Sequence, residues 1–493
     1  MALINVQRTS PLSQTAIVSI VFFCCVGLTS AVSGLGAGGS HPRNIPVVDR
    51  INALLCACMV LSGLVSGSFI NKLGPRVCLV FAATGYPIYT GGLWWLDSGR
   101  TAGFSYFCGA LHGITAGLFY STATYIVSCY STEQVRGAYV SSVWVAFALG
   151  SAIGSATVLA ITIHSGVSKS HVPPAVYITV IVIQSFGVLV ACLLSDPSTV
   201  RRNDDRAVAY FANHSWIEEL RCIFRESLAL KTLVPSMAFA VCQVPNGFFG
   251  SVNAFYFNAR TRALNNVGYW STTAIGSLVA GLSCDSYRLG YRRQRGILVG
   301  AVVILIISGI WSGILFLLIK HDLNRHGSPP HVDWTDRPLS TSVSPLIILT
   351  LSGLVPGSIT AYAQWLASSY SNNPVVLARL MGYVEALRGL GQAIMYALDS
   401  HKVAYRTEGI LLFSCLMCGA VSCVVAVAIY PSNTEYGSDN AVVIPEVIGC
   451  HRSIFELNQS DKVRQEAVSE DSEKNPANYG VISEKAVGNV EEL

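Results

Sequence analysis

The sequence predicts an all-α membrane protein whose twelve transmembrane helices form two six-helix repeats. Of the 493 residues, 52% are hydrophobic and only 12% are charged, whereas soluble domains carry about 25% charged residues. The apolar residues come in continuous blocks of about twenty, which is the length of a membrane-crossing helix and not the alternating pattern of a β-barrel. A duplicated motif, described below, predicts the repeat. We expect the lipid bilayer to be a partner and nucleic acid not to be one.

The apolar blocks give the position of each helix, at about twenty residues per crossing. We number the predicted membrane helices as spans 1 to 12. They lie near 14–36, 51–70, 77–96, 103–128, 138–163, 174–195, 233–257, 267–285, 296–319, 344–368, 378–398 and 409–430.

A polar stretch, 197–231, separates the first six spans from the last six and predicts the topology. It contains five arginines, and basic loops stay in the cytoplasm. With six crossings on each side, both chain termini are then also cytoplasmic. Apolar residues from Trp216 to Leu228 recur at helical spacing, which predicts an interfacial helix within this stretch.

We therefore divide the chain into four segments. These are an N-terminal six-helix half, a cytoplasmic linker with the interfacial helix, a C-terminal six-helix half and an acidic, disordered cytoplasmic tail, at 1–196, 197–231, 232–430 and 431–493. We expect a multi-pass protein of the plasma membrane or of an endosomal or vacuolar membrane.

Two short segments recur in the two halves. GSFINKLGPR at the end of span 2 matches GLSCDSYRLGYRR at the end of span 8, with Gly67 and Asn71 aligned to Gly281 and Asp285. LGSAI in span 5 likewise matches LGQAI in span 11. Two matches in the same order predict that the second half repeats the first.

The first of these segments resembles the signature loop of the major facilitator superfamily, in which an acidic residue at a helix end and nearby basic residues form a cytoplasmic gate. The resemblance implies the major facilitator fold. Asn71 stands where that family usually has Asp, whereas the second half retains the charged residue. The implied gate residues are Gly67, Asn71, Lys72, Gly74, Arg76, Asp285, Arg292 and Arg293.

Longer segments resemble one branch of that superfamily. NGFFGSVNAFYFNARTRALNNVGYW at 246–270, with GLGAGG at 34–39, GYPIY at 85–89 and the segment 130–154, is similar to the Unc-93-like family, particularly its fungal members. The resemblance implies a transporter-like membrane protein, although several members of that family act as trafficking chaperones or channel regulators. GYVEALRGLGQAI in span 11 departs from the Lys-Gly pair and Gln-Ser usual in relatives.

Glu385 and Arg388 are charged residues that fall at bilayer depth within span 11. Central charges are costly there, by about 2.5–3.5 kcal/mol on insertion scales. Their i, i+3 spacing predicts an ion pair on one helix face. The pair either serves gating or proton-linked transport, or it is a structural pair that holds the helix against its neighbours.

Polar residues of the helices that line the cavity in this architecture are the candidate substrate contacts. They are His112, Tyr120, Gln243, Asn246, Asn253, Tyr362 and Gln364. The alternative for the amides is hydrogen bonding between helices. Pro245 and Pro356 interrupt the backbone ladder of spans 7 and 10, as occurs in the discontinuous helices of many transporters.

The sequence contains no nucleophile triad, phosphate loop or haem motif, so we expect no enzyme, no cofactor and no metal site. The leading hypothesis is a secondary transporter of a small solute or ion that works by alternating access. The alternative is a non-transporting scaffold, trafficking chaperone or channel regulator, which would have a membrane protein as its partner.

Overall fold

A computed structural model describes residues 9–34, 44–165, 174–201, 215–321, 323, 325 and 330–436. Within these residues the chain crosses the bundle twelve times. The spans are Pro11–Phe22 with Phe23–Gly27 and Leu28–Gly34; Ile45–Leu73; Pro75–Ala83 with Gly85–Asp97; Ala102–Tyr130; Arg136–Ser165; Pro174–Ala191; Leu230–Leu233, Ser236–Val241 and Val244–Tyr256; Ala259–Asp285; Arg292–Lys320; Leu339–Leu351 with Leu354–Ser368; Pro374–Ser400; and Tyr405–Ile429. The predicted fold class is confirmed.

Hydropathy alone identifies fewer membrane helices than the fold contains. Among the described residues, eight helices are long and apolar enough to cross a bilayer, or nine when a bent pair near span 7 is counted. Spans 4, 8 and 11 do not meet that criterion. Span 4 is almost entirely buried by other helices from Thr115 to Tyr130, and span 11 carries three charged side chains that are buried by protein. A helix surrounded by protein does not need the apolar surface that lipid requires.

Span 8 begins earlier than the apolar block predicts. The helix starts at Ala259, after Asn258, whose side chain accepts a hydrogen bond from the Thr261 N–H. Its first turns contain Asn265 and Asn266, which are both buried. The side chains of Asn265 and Asn266 form hydrogen bonds inside the bundle, as described below. The helix can therefore extend beyond the apolar block.

Two of the C-terminal spans are interrupted near their prolines. Span 7 breaks after Val241 and restarts at Val244, with Pro245 in the first turn. Span 10 breaks after Leu351 and restarts at Leu354, two residues before Pro356. Proline lacks the N–H that continues the helical ladder, which explains why both breaks occur where they do.

Close packing between the halves follows two helix pairs, span 2 with span 11 and span 5 with span 8. Glycines allow the backbones to approach. A methyl group at Gly67 would lie 2.6 Å from the Cα of Arg379, and one at Gly281 would lie 2.5 Å from the carbonyl oxygen of Gly137. These contacts lie near the membrane face that carries the two duplicated loops, which we call the motif face.

The two ends of the described chain and the start of the linker lie together on the motif face. The Arg201 N–H donates to the carbonyl of Thr9, at 3.2 Å. The Glu435 N–H donates to the carboxylate of Glu133, at 2.8 Å. Most of the linker, 202–214, and most of the tail predicted to be disordered, 437–493, lie outside the described residues.

The described part of the linker contains a short amphipathic helix, Trp216–Ser227. Ser215 and Glu218 form a reciprocal capping box at its start, which satisfies otherwise unpaired N–H groups. One side of the helix carries exposed apolar side chains, including Ile217 and Phe224. Arg221 and Arg225 lie along one edge of that apolar side, and the opposite side carries Glu219 and Glu226. We call this element the linker helix.

Candidate substrate site and gate

Glu385 and Arg388 form an ion pair near the middle of span 11. An Nη of Arg388 donates to the carboxylate of Glu385 at 2.6 Å, and both side chains are buried. Glu385 lies about 16 Å along a helix that is about 40 Å long, at 1.5 Å per residue. One oxygen of Glu385 and the Nε of Arg388 have no hydrogen-bond partner among the described residues. Each side chain therefore has an unused polar atom.

Aromatic residues of the first half surround this pair. The guanidinium of Arg388 lies 4.5 Å from the ring centre of Trp144 and 6.0 Å from that of Tyr120. The two rings stack on one another at 6.2 Å, and Phe22 meets Trp144 edge-on. A cation within about 6 Å of an aromatic face is attracted by it. Span 11 of the second half therefore presents its charge to spans 4 and 5 of the first.

A direct hydrogen bond joins the halves at the same depth. The indole N–H of Trp144 donates to the side-chain oxygen of Gln364 at 3.0 Å, and the amide nitrogen of Gln364 contacts the sulfur of Met381. We call Phe22, Tyr120, Trp144 and Arg388 the Trp144 cluster. Of the predicted cavity residues, Tyr120 belongs to this cluster and Gln364 lies beside it. Because Trp144 bonds Gln364 and stacks on the Arg388 guanidinium, it connects span 10 and span 11 to the first half.

Two of the three span 7 amides, Gln243 and Asn246, lie in a hydrogen-bonded chain inside the second half. Gln243 donates to the hydroxyl of Thr360 at 2.8 Å, and Asn246 donates to Gln243. Tyr269 donates to Asn246 at 2.7 Å.

Asn253, further along the helix, bonds to span 8. It accepts from Asn265 at 2.9 Å and donates to Asn266 at 3.2 Å. The structure therefore brings these amides into contact with spans 8 and 10.

Two other candidate cavity residues, Tyr362 and His112, lie away from the Trp144 cluster. The hydroxyl of Tyr362 donates to the carbonyl of Gly296 in span 9, at 2.9 Å. His112 is buried between Tyr86 and Tyr89 of span 3, with ring centres 4.5 and 4.7 Å away. Its Nδ1 has no hydrogen-bond partner among the described residues. Neither side chain lies in the Trp144 cluster, and cavity roles for them remain predictions.

On the motif face, Asp285 caps the start of span 5. Its two carboxylate oxygens accept from the N–H groups of Gly137 and Ala138, at 2.8 and 2.7 Å. Unpaired N–H groups and the helix dipole make the start of a helix favourable for a carboxylate. Asp285 therefore links span 8 of the second half to span 5 of the first.

Glu133 and Arg136, immediately before and at the start of span 5, extend this connection. Arg292 pairs with Glu133 at 3.2 Å. Arg136 donates to the carbonyl of Ser368 and to the side chain of Asn372, at 2.6 and 2.7 Å. Burial would raise the pKa of Glu133, but Arg292 and Arg136 outweigh it and hold that pKa below its ordinary value. Arg293, by contrast, stays exposed and donates to the carbonyl of Ile429.

In the matching motif of the first half, the carboxylate comes from the linker helix and not from the span itself. Asn71 donates to the carbonyl of Val375 at 3.3 Å and to the carboxylate of Glu219, in the linker helix, at 3.2 Å. Glu219 in turn makes two hydrogen bonds with Arg379 of span 11, both 2.9 Å long. A carboxylate from the linker helix thus lies beside the position where Asn71 lacks one.

Lys72 and Arg76 of the first-half motif contact the linker helix and the same half. The Lys72 ammonium lies 5.9 Å from the ring centre of Trp216. Arg76 donates to the carbonyl of Cys192 and lies 3.9 Å from Asp196. Gly74 has φ +82°, a left-handed conformation that favours glycine in the tight turn between spans 2 and 3.

Several residues that connect the halves were not singled out from the sequence. They are Glu133, Arg136, Trp144, Glu219, Asn372 and Arg379. A sequence pattern identifies two of them, because Arg136 and Arg379 are both basic residues near the starts of corresponding spans, 5 and 11. Nothing in the sequence indicates that Trp144 stacks on Arg388, since the two lie in different halves.

Comparison with known proteins places this architecture in a family. Residues 44–396 match the Major Facilitator Superfamily. The membrane protein C6F6.04c of Schizosaccharomyces pombe is 33% identical over 423 residues, covering 86% of this chain and 85% of its own length. UNC93-like protein C922.05c of the same organism is 32% identical over 420 residues, with coverage of 84% and 81%.

A solved structure shows the same fold at low sequence identity. The proton:xylose symporter XylE, bound to 6-bromo-6-deoxy-D-glucose, superposes with a TM-score of 0.60 at 12% identity, covering 86% of this chain and 97% of that one. The chain therefore belongs to the major facilitator superfamily of membrane transporters and, within it, to the Unc-93-like proteins.

Proposed function

We propose that the protein is a secondary transporter that moves a small solute or ion by alternating access. The observation that supports this most is the charged pair Glu385–Arg388, buried at mid-membrane where the two halves meet. Burying a charge at this depth is costly, and such residues in membrane helices are usually functional. In this proposal the pair changes its contacts with Trp144 and Tyr120 when one half rocks against the other.

The proposed gate is the inter-half network of the motif face. Asp285 with the start of span 5, Glu133 with Arg292, and Arg379 with Glu219 hold this face closed in the described conformation. Basic loops favour a cytoplasmic location for the motif face, and hence for both termini. Opening then requires these contacts to break together, while contacts on the opposite face tighten.

Flux in proteoliposomes tests the proposal. The purified chain is reconstituted and a panel of labelled sugars, amino acids, organic anions and monovalent cations is tested for uptake and for exchange. We expect at least one class to be taken up above protein-free vesicles, and Glu385→Gln to reduce that flux at least tenfold. Asp336→Asn, a change to an exposed carboxylate outside the spans, is the matched control and should keep at least half of the flux.

A scaffold without transport is the second candidate, and the span 7 amides favour it. Gln243 bonds to span 10 and Asn253 to span 8, while Asn246 bonds to Gln243 and to Tyr269 of span 8, as in a packed bundle. If the protein is a scaffold, cross-linking after gentle solubilisation, followed by mass spectrometry, should recover a partner membrane protein in a fixed ratio to this chain. No solute of the panel should then be transported. Flux without a stoichiometric partner supports the transporter, and the reverse result supports the scaffold.

A further inference from the structure

A large apolar cavity lies on the outside of the first half, away from the Arg388 pair. Its volume is about 980 Å³, near the upper end of the 300–1,000 Å³ range typical of small-ligand sites. Three membrane spans, 2, 3 and 4, form its walls, and the linker helix forms the remaining wall. Representative lining residues are Leu64, Phe69, Phe81, Ile114, Leu220 and Phe224.

The composition and position of this cavity indicate a lipid chain as its occupant. Polar partners that would hold water are scarce, because the lining is almost entirely aliphatic or aromatic. Phe224 is 69% exposed and Phe81 is 54% exposed. Exposed phenylalanines on a membrane span and on the helix packed beside it are stable only against hydrocarbon, so the cavity opens towards the bilayer.

The linker helix adds charge at the edge of this cavity. Arg221 and Arg225 are exposed and four residues apart, so they lie on one side of the helix. Each directly follows a cavity-lining residue, Leu220 or Phe224. Arginines at the boundary between an apolar and a polar helix side reach the headgroup layer, where their guanidinium groups bind phosphate in a bidentate manner.

The other edge of the same helix carries the contacts with the gate. Glu219 and Glu226 pair with Arg379 of span 11, at 2.9 and 2.8 Å. The helix therefore lies between the cavity and the inter-half contact. Any ligand that holds Leu220 and Phe224 against spans 2 to 4 also holds Glu219 beside Arg379.

We propose that the cavity binds an anionic phospholipid whose acyl chain packs between spans 2, 3 and 4 and the linker helix. Its headgroup lies on Arg221 and Arg225. The bound lipid seats the linker helix and so stabilises the closed motif face. The proposal does not depend on transport, because a scaffold with this fold would use the same cavity.

Photo-cross-linking in defined membranes identifies the occupant. A benzoylphenylalanine replaces Ile114 inside the cavity or, as the control, Val182, which is 62% exposed on span 6. The full chain is reconstituted in nanodiscs of phosphatidylcholine and phosphatidylserine, irradiated and analysed by mass spectrometry. We expect the serine-to-choline adduct ratio at position 114 to exceed that at 182 at least threefold. Arg221→Gln with Arg225→Gln should remove the excess, whereas Arg288→Gln with Arg406→Gln should not.

Three results would overturn the proposal. Equal adduct ratios at 114 and 182 would mean ordinary boundary lipid without selection. Adducts to a peptide of the segment 437–493, or to a second copy of the chain, would mean that a protein covers the cavity. An excess that survives loss of Arg221 and Arg225 would exclude the assigned headgroup site.

Hydrogen exchange tests the link to the gate. Phosphatidylserine should slow exchange of 216–227 at least threefold relative to pure phosphatidylcholine, and should leave 97–101, the loop between spans 3 and 4 on the opposite membrane face, unchanged. The Arg221→Gln, Arg225→Gln variant should lose the effect. Equal exchange of 216–227 in both lipids would show that the lipid does not seat the linker helix.

Discussion

Glu219 in the linker helix binds Arg379 of span 11 through both carboxylate oxygens, at 2.9 Å each. Asn71 of span 2 donates to the same carboxylate, at 3.2 Å. The linker therefore completes a contact between the two halves, at the position where the duplicated motif has Asn71 instead of the acidic residue found in its second copy, Asp285. In the second half the acidic residue is part of the span itself.

The first prediction tests whether the carboxylate of Glu219 replaces the acidic residue that the first motif lacks at Asn71. Glu219→Gln should lower the free energy of unfolding by about 1–3 kcal/mol, because Arg379 then keeps only the half-buried Glu226 as a charged partner. Asn71→Asp in that background should recover part of the loss. In the native background Asn71→Asp should destabilise, since it sets a second carboxylate beside Glu219. Thermal unfolding of the purified chain measures all three.

The control for these variants is Asp196→Asn. Asp196 forms a solvent-exposed pair with Arg76, and exposed pairs contribute only about 0–1 kcal/mol. A loss for Asp196→Asn as large as that for Glu219→Gln would show that the linker contact has no special role in closing the halves.

The second prediction concerns the mid-membrane pair. Removing one partner of a fully buried pair leaves an uncompensated charge, which costs about 3–5 kcal/mol. Glu385→Gln and Arg388→Gln should therefore each reduce the yield of folded protein, and the double variant should recover part of it. Size-exclusion profiles in detergent give these yields. Additive losses in the double variant would mean that each side chain acts independently.

The third prediction uses the close approach of spans 5 and 8. Gly281→Ala places a methyl group 2.5 Å from the carbonyl oxygen of Gly137, so the two helices must separate at the motif face. We expect a thiol introduced at Ala138 of span 5 to react at least threefold faster in this variant, in a chain whose native cysteines are replaced. Gly309→Ala, with no heavy atom within 4 Å of the added methyl group, should leave the rate unchanged.

The fourth prediction separates a solute site from a packed face on span 7. In a transporter, cysteine at Asn246 should be labelled by a small thiol reagent, and a transported solute should protect it. In a scaffold the labelling should be slow and insensitive to every solute tested. Full uptake by a triple alanine variant at Gln243, Asn246 and Asn253 would exclude these amides as the solute site, even in a chain that transports.

The fifth prediction is a pH dependence at Glu133. Its pKa is lower in the folded protein than the ordinary value of about 4.3. The carboxylate therefore contributes stability above pH ~4.3, and that contribution is lost as pH falls through the folded pKa. The difference in melting temperature between the native chain and Glu133→Gln should be constant from pH 5 to 7 and shrink below pH ~4. A difference independent of pH down to 3 would contradict the assignment.

The sequence by itself determined the fold and the number of spans. Apolar blocks of bilayer length and a repeated motif are local patterns, and lipid requires the apolar blocks of the helices that face it. The i, i+3 pairing of Glu385 with Arg388 is likewise fixed within one helix turn. For the same reason, Pro245 and Pro356 located the helix breaks at 242–243 and 352–353.

Tertiary structure alone decided which groups meet across the halves. Trp144 reaches Arg388 and Gln364, and Glu219 reaches Arg379, across separations of more than 150 residues. Polar side chains on the predicted cavity helices also divide into those that face the other half and those, such as Tyr362, that bond within their own. The physical reason is that a helix pattern fixes which residues share a face, whereas the neighbour of that face depends on how twelve helices pack together.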